Sequence, residues 1–139
     1  EDTFTVTIHA VDDDPVVANP LPDISVNEDA ANSTIDLSHV FNDEDDDNAS
    51  ITKSVLSSNN SLVNASVVGN ILTLNYQTNQ TGSADITLTA TSNGKSVNDL
   101  FDVTVMPVDD PPVVANLLSD IIVNQYICKN IDYFFIFFS

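Results

Sequence analysis

Residues Asp99–Asn124 read DLFDVTVMPVDDPPVVANLLSDIIVN, and Asp2–Asn27 read DTFTVTIHAVDDDPVVANPLPDISVN; 17 of these 26 positions are identical at an offset of 97 residues. A match of that length at fixed spacing marks a tandem array whose unit is one small domain. Within each copy, apolar and polar residues alternate: Phe4, Val6 and Ile8 in the first, Phe101, Val103 and Val105 in the second. A period of two is the mark of a half-buried strand. The 139 residues therefore divide into three parts. Residues 1–14 form the last strand and linker of a preceding repeat, and 15–111 form a complete repeat. Residues 112–139 begin a following repeat and leave its pattern after 124.

The same alternation recurs through the complete repeat. Ala84–Thr91 carries Ile86, Leu88 and Ala90 on one face, and Ile71–Tyr76 carries Leu72, Leu74 and Tyr76. Gly69-Asn70 forms a turn that joins Ile71–Tyr76 to a hairpin partner at Val63–Val68. Asp23–Asn27, Thr34–Phe41 and Ser50–Ser57 complete a set of about seven strands. Nowhere does a 3.6-residue apolar stripe persist for three turns. Short strands, a turn signal roughly every ten residues and no helix define an all-β, seven-stranded Greek-key β-sandwich, immunoglobulin- or cadherin-like. A unit of this size can close its own core.

Charge narrows the function. Twenty-one acidic residues face three lysines and no arginine, a formal charge of −18. Nucleic acid and anionic lipid both demand clustered Lys and Arg, which this chain lacks. Eighteen of the acids are Asp, a short side chain suited to tight loops and hard cations. The single cysteine, Cys128, excludes an internal disulfide framework. A membrane span needs about 20 consecutive apolar residues, and none is present.

The acids gather at loop positions. Asp12, Asp13 and Asp14 precede the complete repeat, and Asp109 and Asp110 follow it. The loop NDEDDDN at 42–48 sets Asp43, Asp45 and Asp47 at a spacing of two, and Glu28 follows the first strand. In a sandwich, the N-terminal joint and the loop after the second strand share one end, so these carboxylates can meet. Calcium takes six to eight oxygens at about 2.3–2.6 Å, which Asp-rich loops and backbone carbonyls supply. Lacking the Gly and Glu of an EF-hand and its flanking helices, the loop is not one.

The motifs VNED at 26–29, FNDEDDDN at 41–48, TGSADITLTAT at 81–91 and the FDVTVMPVDDPPVVAN run together resemble a bacterial cadherin-like repeat of the dystroglycan type. The resemblance covers about residues 1–124. It implies calcium bound between successive repeats, with one cluster of Asp12, Asp13, Asp43 and Asp45 and a second of Glu28, Asp109 and Asp110. Ala10 and Pro107 stand where the family's linker begins with Asp, and ATSNG with Ser92 replaces its usual Asp before the last strand.

The leading expectation is a calcium-stiffened spacer or adhesion module in a surface or secreted multidomain protein. Its partners would be neighbouring repeats, and a cell-surface protein or polysaccharide. The competing expectation is a carbohydrate-binding module attached to a secreted polysaccharide-degrading enzyme. Sugar recognition favours exposed aromatic faces. Before residue 125 the chain offers only Phe4, Phe41, Tyr76 and Phe101, most of which read as core. No nucleophile and base fall in a catalytic pattern, and His9 and His39 read as structural, so an enzyme is not expected. The tail QYICKNIDYFFIFFS at 125–139 departs from the repeat and reads as a disordered, aggregation-prone segment.

Overall fold

The alternating segments pair into two facing sheets in a computed structural model that describes residues 2–9 and 11–116. The chain divides into two compact units, Glu1–Asp109 and Asp110–Ser139. All the strands of the described residues lie in the first. The described part of the second, residues 110–116, is exposed and outside any strand. The tail at 125–139 and its expected disorder lie outside the described residues.

The strands are β1 (Val16–Val17), β2 (Ile24–Asn27), β3 (Ser33–Asp36), β4 (Phe41–Asn42), β5 (Thr52–Ser57), β6 (Val63–Val68), β7 (Ile71–Tyr76), β8 (Gly82–Ser92) and β9 (Lys95–Met106). One sheet runs β2-β9-β8-β5 and the other β3-β7-β6, with β1 paired to β4. Seven of these strands are four residues or longer, matching the expected count. Most pairs are antiparallel; β2 lies parallel to β9, from Ile24↔Val103 to Asn27↔Met106. Parallel neighbours cannot be joined by a tight turn. Here almost the whole sandwich is the connection. The described residues contain no helix, and the arrangement is an immunoglobulin-like β-sandwich.

The core is the set of inward residues that the alternation marks. Leu72 and Leu74 of β7, Ile86 and Leu88 of β8, and Val103 of β9 are fully buried. Phe41 and Phe101 join them at 2% exposure. Each such side chain is worth about 1.5–3 kcal/mol relative to leaving it in water. The β8–β9 hairpin turns through Asn93 and Gly94, whose φ values of 47° and 83° are both positive. That is the primed turn that Asn-Gly favours, because its twist matches the strands it joins.

Two expectations need correction. Residues 3–9 and Val11 lie in no strand among the described residues, and Phe4 is 88% exposed. The equivalent second copy is a strand because β8 and β2 flank it, which buries Phe101. Alternation makes a strand only where neighbours complete its hydrogen bonds. Thr34–Phe41 is likewise not one strand but two, β3 and β4. Asp36 Oδ1 accepts from the Ser38 amide at 2.9 Å and the Ser38 hydroxyl at 2.5 Å. Short polar side chains compete with ladders in this way, and here a turn wins.

Candidate metal site

Strand β1 sets the geometry at one end of the sandwich. It pairs antiparallel with β4 through Val16↔Asn42 and Val17↔Phe41. Continuing that register beyond the ladder places Asp13 opposite Asp45. The contact is made: the Asp13 amide donates to Asp45 Oδ2 at 2.8 Å. The N-terminal joint therefore runs alongside the acidic loop, as the sandwich topology implied.

Inside the loop, Asp43 is the organising residue. Its Oδ1 accepts from the amides of Asp45 at 3.0 Å and Asp46 at 3.2 Å. The side chain is only 6% exposed, and its Oδ2 is buried with no hydrogen-bond partner among the described residues. A buried polar oxygen without a partner is costly, so this atom calls for a donor or a cation. An open cleft of about 340 Å³ lies between the joint and the loop, lined by Asp13, Asp14, Val16, Asn42 and Glu44 but not by Asp43.

Two other loop acids, Asp46 and Asp47, are held by nearby donors. Asp47 Oδ1 accepts from the Ser50 amide at 2.9 Å and its hydroxyl at 2.8 Å, and these bonds hold its carboxyl below the ordinary value. Asp46 Oδ2 accepts from Ser92 Oγ at 2.6 Å and Asn93 Nδ2 at 2.8 Å. The same Asn93 amide donates to Asp12 Oδ1 at 2.7 Å. Lys95 Nζ lies 3.3 Å from Asp12 Oδ2 and 3.0 Å from Asp14 Oδ1, and donates to the Asp12 carbonyl. Asn93 first, then Lys95, lowers the Asp12 carboxyl below its usual value.

At the opposite joint, Glu28 bonds to the end of β9 and the residues that follow it. Its amide donates to the Met106 carbonyl at 2.8 Å, and its Oε1 accepts from the Val108 amide at 2.6 Å. It thus grips the residue just before Asp109. Asp109 is exposed at the end of the first unit, and Asp110 is exposed within the second.

The structure therefore links Asp13, Asp43 and Asp45 through backbone donors, and places Asp12 beside Asp46 through Asn93. Asp47 faces Ser50 instead. Oxygen donors and an orphaned buried carboxylate fit a hard cation such as calcium. In their present positions, no three acidic, His or Cys side chains among the described residues are grouped closely enough to hold a metal. Like charges are spaced by intervening amides, a hydroxyl and an ammonium.

Sequence reading did not single out Asp46, Asn93 or Lys95. The available signal was Lys95 itself, one of three cations in the whole chain and placed in the SNGK hairpin turn. The described residues contain no helix long and apolar enough to cross a membrane.

No protein-family model matches the sequence, and no curated protein does. Among solved structures, the chain is similar to a chimeric titin Z1Z2 carrying a decorin-derived KLER peptide. That match has TM-score 0.49 and 15% identity, and covers 71% of this chain and all of that one. Titin domain M7 matches at TM-score 0.44 and 16% identity over 70% of this chain and 98% of the other. An endo-fucoidan hydrolase of glycoside hydrolase family 107 matches at TM-score 0.49 and 17% identity over 68% of this chain. The chain spans about 14% of that hydrolase's length. At these identities the likeness concerns the fold alone.

Proposed function

We propose that this chain is a calcium-binding spacer module of a tandem array in a surface or secreted protein, with ions at the joints stiffening successive sandwiches. The observation that carries the reading is Asp43. Its buried oxygen has no hydrogen-bond partner among the described residues, and it sits in a loop hydrogen-bonded to the N-terminal joint. Asp43, Asp45 and Asp13, joined by Asp12, are the residues that would hold the ion. Glu28 and Asp109 would serve the C-terminal joint. A bound divalent ion supplies positive charge that lets neighbouring carboxylates approach, which they otherwise resist. Drawing Asp13 and Asp43 toward one centre ties the segment before β1 to the loop after β4. A polymer of such joints behaves as a rod rather than a string, reaching a cell-surface protein or polysaccharide at its far end.

Among the described residues, three of the four aromatic side chains offer no face for sugar stacking. Phe41, Phe101 and Tyr76 are buried in the core, and Phe4 projects from an unpaired segment. The test is a calorimetric titration of calcium into the EDTA-treated chain, with thermal unfolding alongside. Saturable binding with a Kd of about 10⁻⁴–10⁻³ M is expected of an extracellular module. Absence of heat and an unchanged melting temperature at 10 mM calcium would overturn the proposal.

A further inference from the structure

The tip of the β8–β9 hairpin reaches the joint. Ser92 pairs with Lys95 across the turn, and the positive φ values of Asn93 and Gly94 close it tightly. From this rigid platform, Asn93 Nδ2 bridges Asp12 Oδ1 and Asp46 Oδ2 at 2.7 and 2.8 Å. Lys95 Nζ spans the carboxylates of Asp12 and Asp14 at 3.3 and 3.0 Å, and also binds the Asp12 carbonyl. Between these two anchored acids lies Asp13, whose amide donates to Asp45. Two grips therefore hold this short segment, loop 43–51 on Asp13 and the hairpin on Asp12 and Asp14.

We propose that Lys95 is a tethered counter-ion of the joint, positioning Asp12–Asp14 against the sandwich and competing with a divalent cation for the Asp12 carboxylate. The competition rests on the calcium reading; the positioning does not. In a chain with so few cations, an ammonium placed between two aspartates of the joint is a specific expenditure of charge. An ion that takes the Asp12 oxygens must release them from Lys95 and Asn93. Lys95 thereby sets the calcium level at which the joint exchanges an internal tether for a metal one. It also keeps the joint from going slack when calcium is withdrawn.

Two measurements on the full chain test this. In EDTA, ¹⁵N relaxation should show Asp12–Asp14 amides with order parameters near 0.85 in the wild type. In Lys95→Met they should fall below about 0.6, and Lys95→Arg should restore them. Calcium titration should show Lys95→Met binding several-fold more tightly than the wild type. Lys53→Met is the charge-matched control, since Lys53 bonds to Asn48 and Ile51 rather than to an acid. Its affinity gain should be smaller. Unchanged order parameters in Lys95→Met overturn the positioning role. An affinity gain no larger than that of Lys53→Met overturns the competition. A wild type that binds no calcium sinks the proposed function and the competition with it, while the relaxation result still decides the tether.

Discussion

Replacing Asp43 with Asn separates the two demands on that residue. The amide keeps an oxygen able to accept from the Asp45 and Asp46 amides, and replaces the buried Oδ2 by an uncharged donor. In EDTA two effects oppose each other. The hydrogen bonds lose charge assistance, while repulsion from Glu44, Asp45 and Asp46 falls. Each is worth about 1 kcal/mol, so the net melting shift should stay within about 4–8 °C, the equivalent of 1 kcal/mol for a domain of this size. Calcium changes the comparison. At 10 mM, a site with Kd of about 10⁻⁴–10⁻³ M stabilises the wild type by roughly 1.4–2.7 kcal/mol. That corresponds to a rise of about 6–20 °C. Asp43→Asn should lose most of this increment, because the buried oxygen left without a partner among the described residues is gone. Differential scanning calorimetry of both proteins, with calcium and with EDTA, measures all four values. If the variant retains the full calcium-dependent rise, Asp43 is not a ligand and the reasoning from its orphaned oxygen fails.

Two further outcomes follow from the sandwich itself. Leu74→Ala, at a fully buried position in β7, should cost about 2–5 kcal/mol and lower the urea midpoint without altering the slope. Asp102 faces Asp85 across the β8–β9 ladder and donates its amide to Asp23 Oδ1 at 2.9 Å. Loss of water around its carboxyl, then Asp85 and Asp23, raises it above 3.8. The ionised form is thus disfavoured in the fold, so stability falls as pH rises through the raised value. Asp102→Asn should melt higher than the wild type at pH 7, with the difference fading as pH drops below 3.8. A difference constant from pH 3 to 7 would contradict that assignment.

Much of the fold was legible because it is written as alternation. Leu72, Leu74, Ile86, Leu88, Val103 and Phe101 are inward in the sequence pattern and buried in the structure. Alternation says nothing of company, which is why Thr3–Val11 reads as a strand yet pairs with no neighbour among residues 3–9. It is also blind to local competition, as at Asp36 and Ser38, where a side chain takes the hydrogen bonds that a continuous strand would need. At the site, the spacing of Asp43 and Asp45 marked the loop, and the register of β1 on β4 explains why Asp13 meets it. The hairpin's part was not legible. Asn93 and Lys95 lie about 80 residues from Asp12, and only the closed sandwich brings them together.

The parallel pairing of β2 with β9 has a mechanical consequence. Tension applied through the two joints draws β2 back toward Ile24 and β9 forward past Met106, in opposite directions along a shared ladder. Its rungs are then loaded together and must slip as a group, whereas a hairpin pulled open from one end yields bond by bond. A longitudinal pull would therefore be resisted at the seam where the first long strand meets the last.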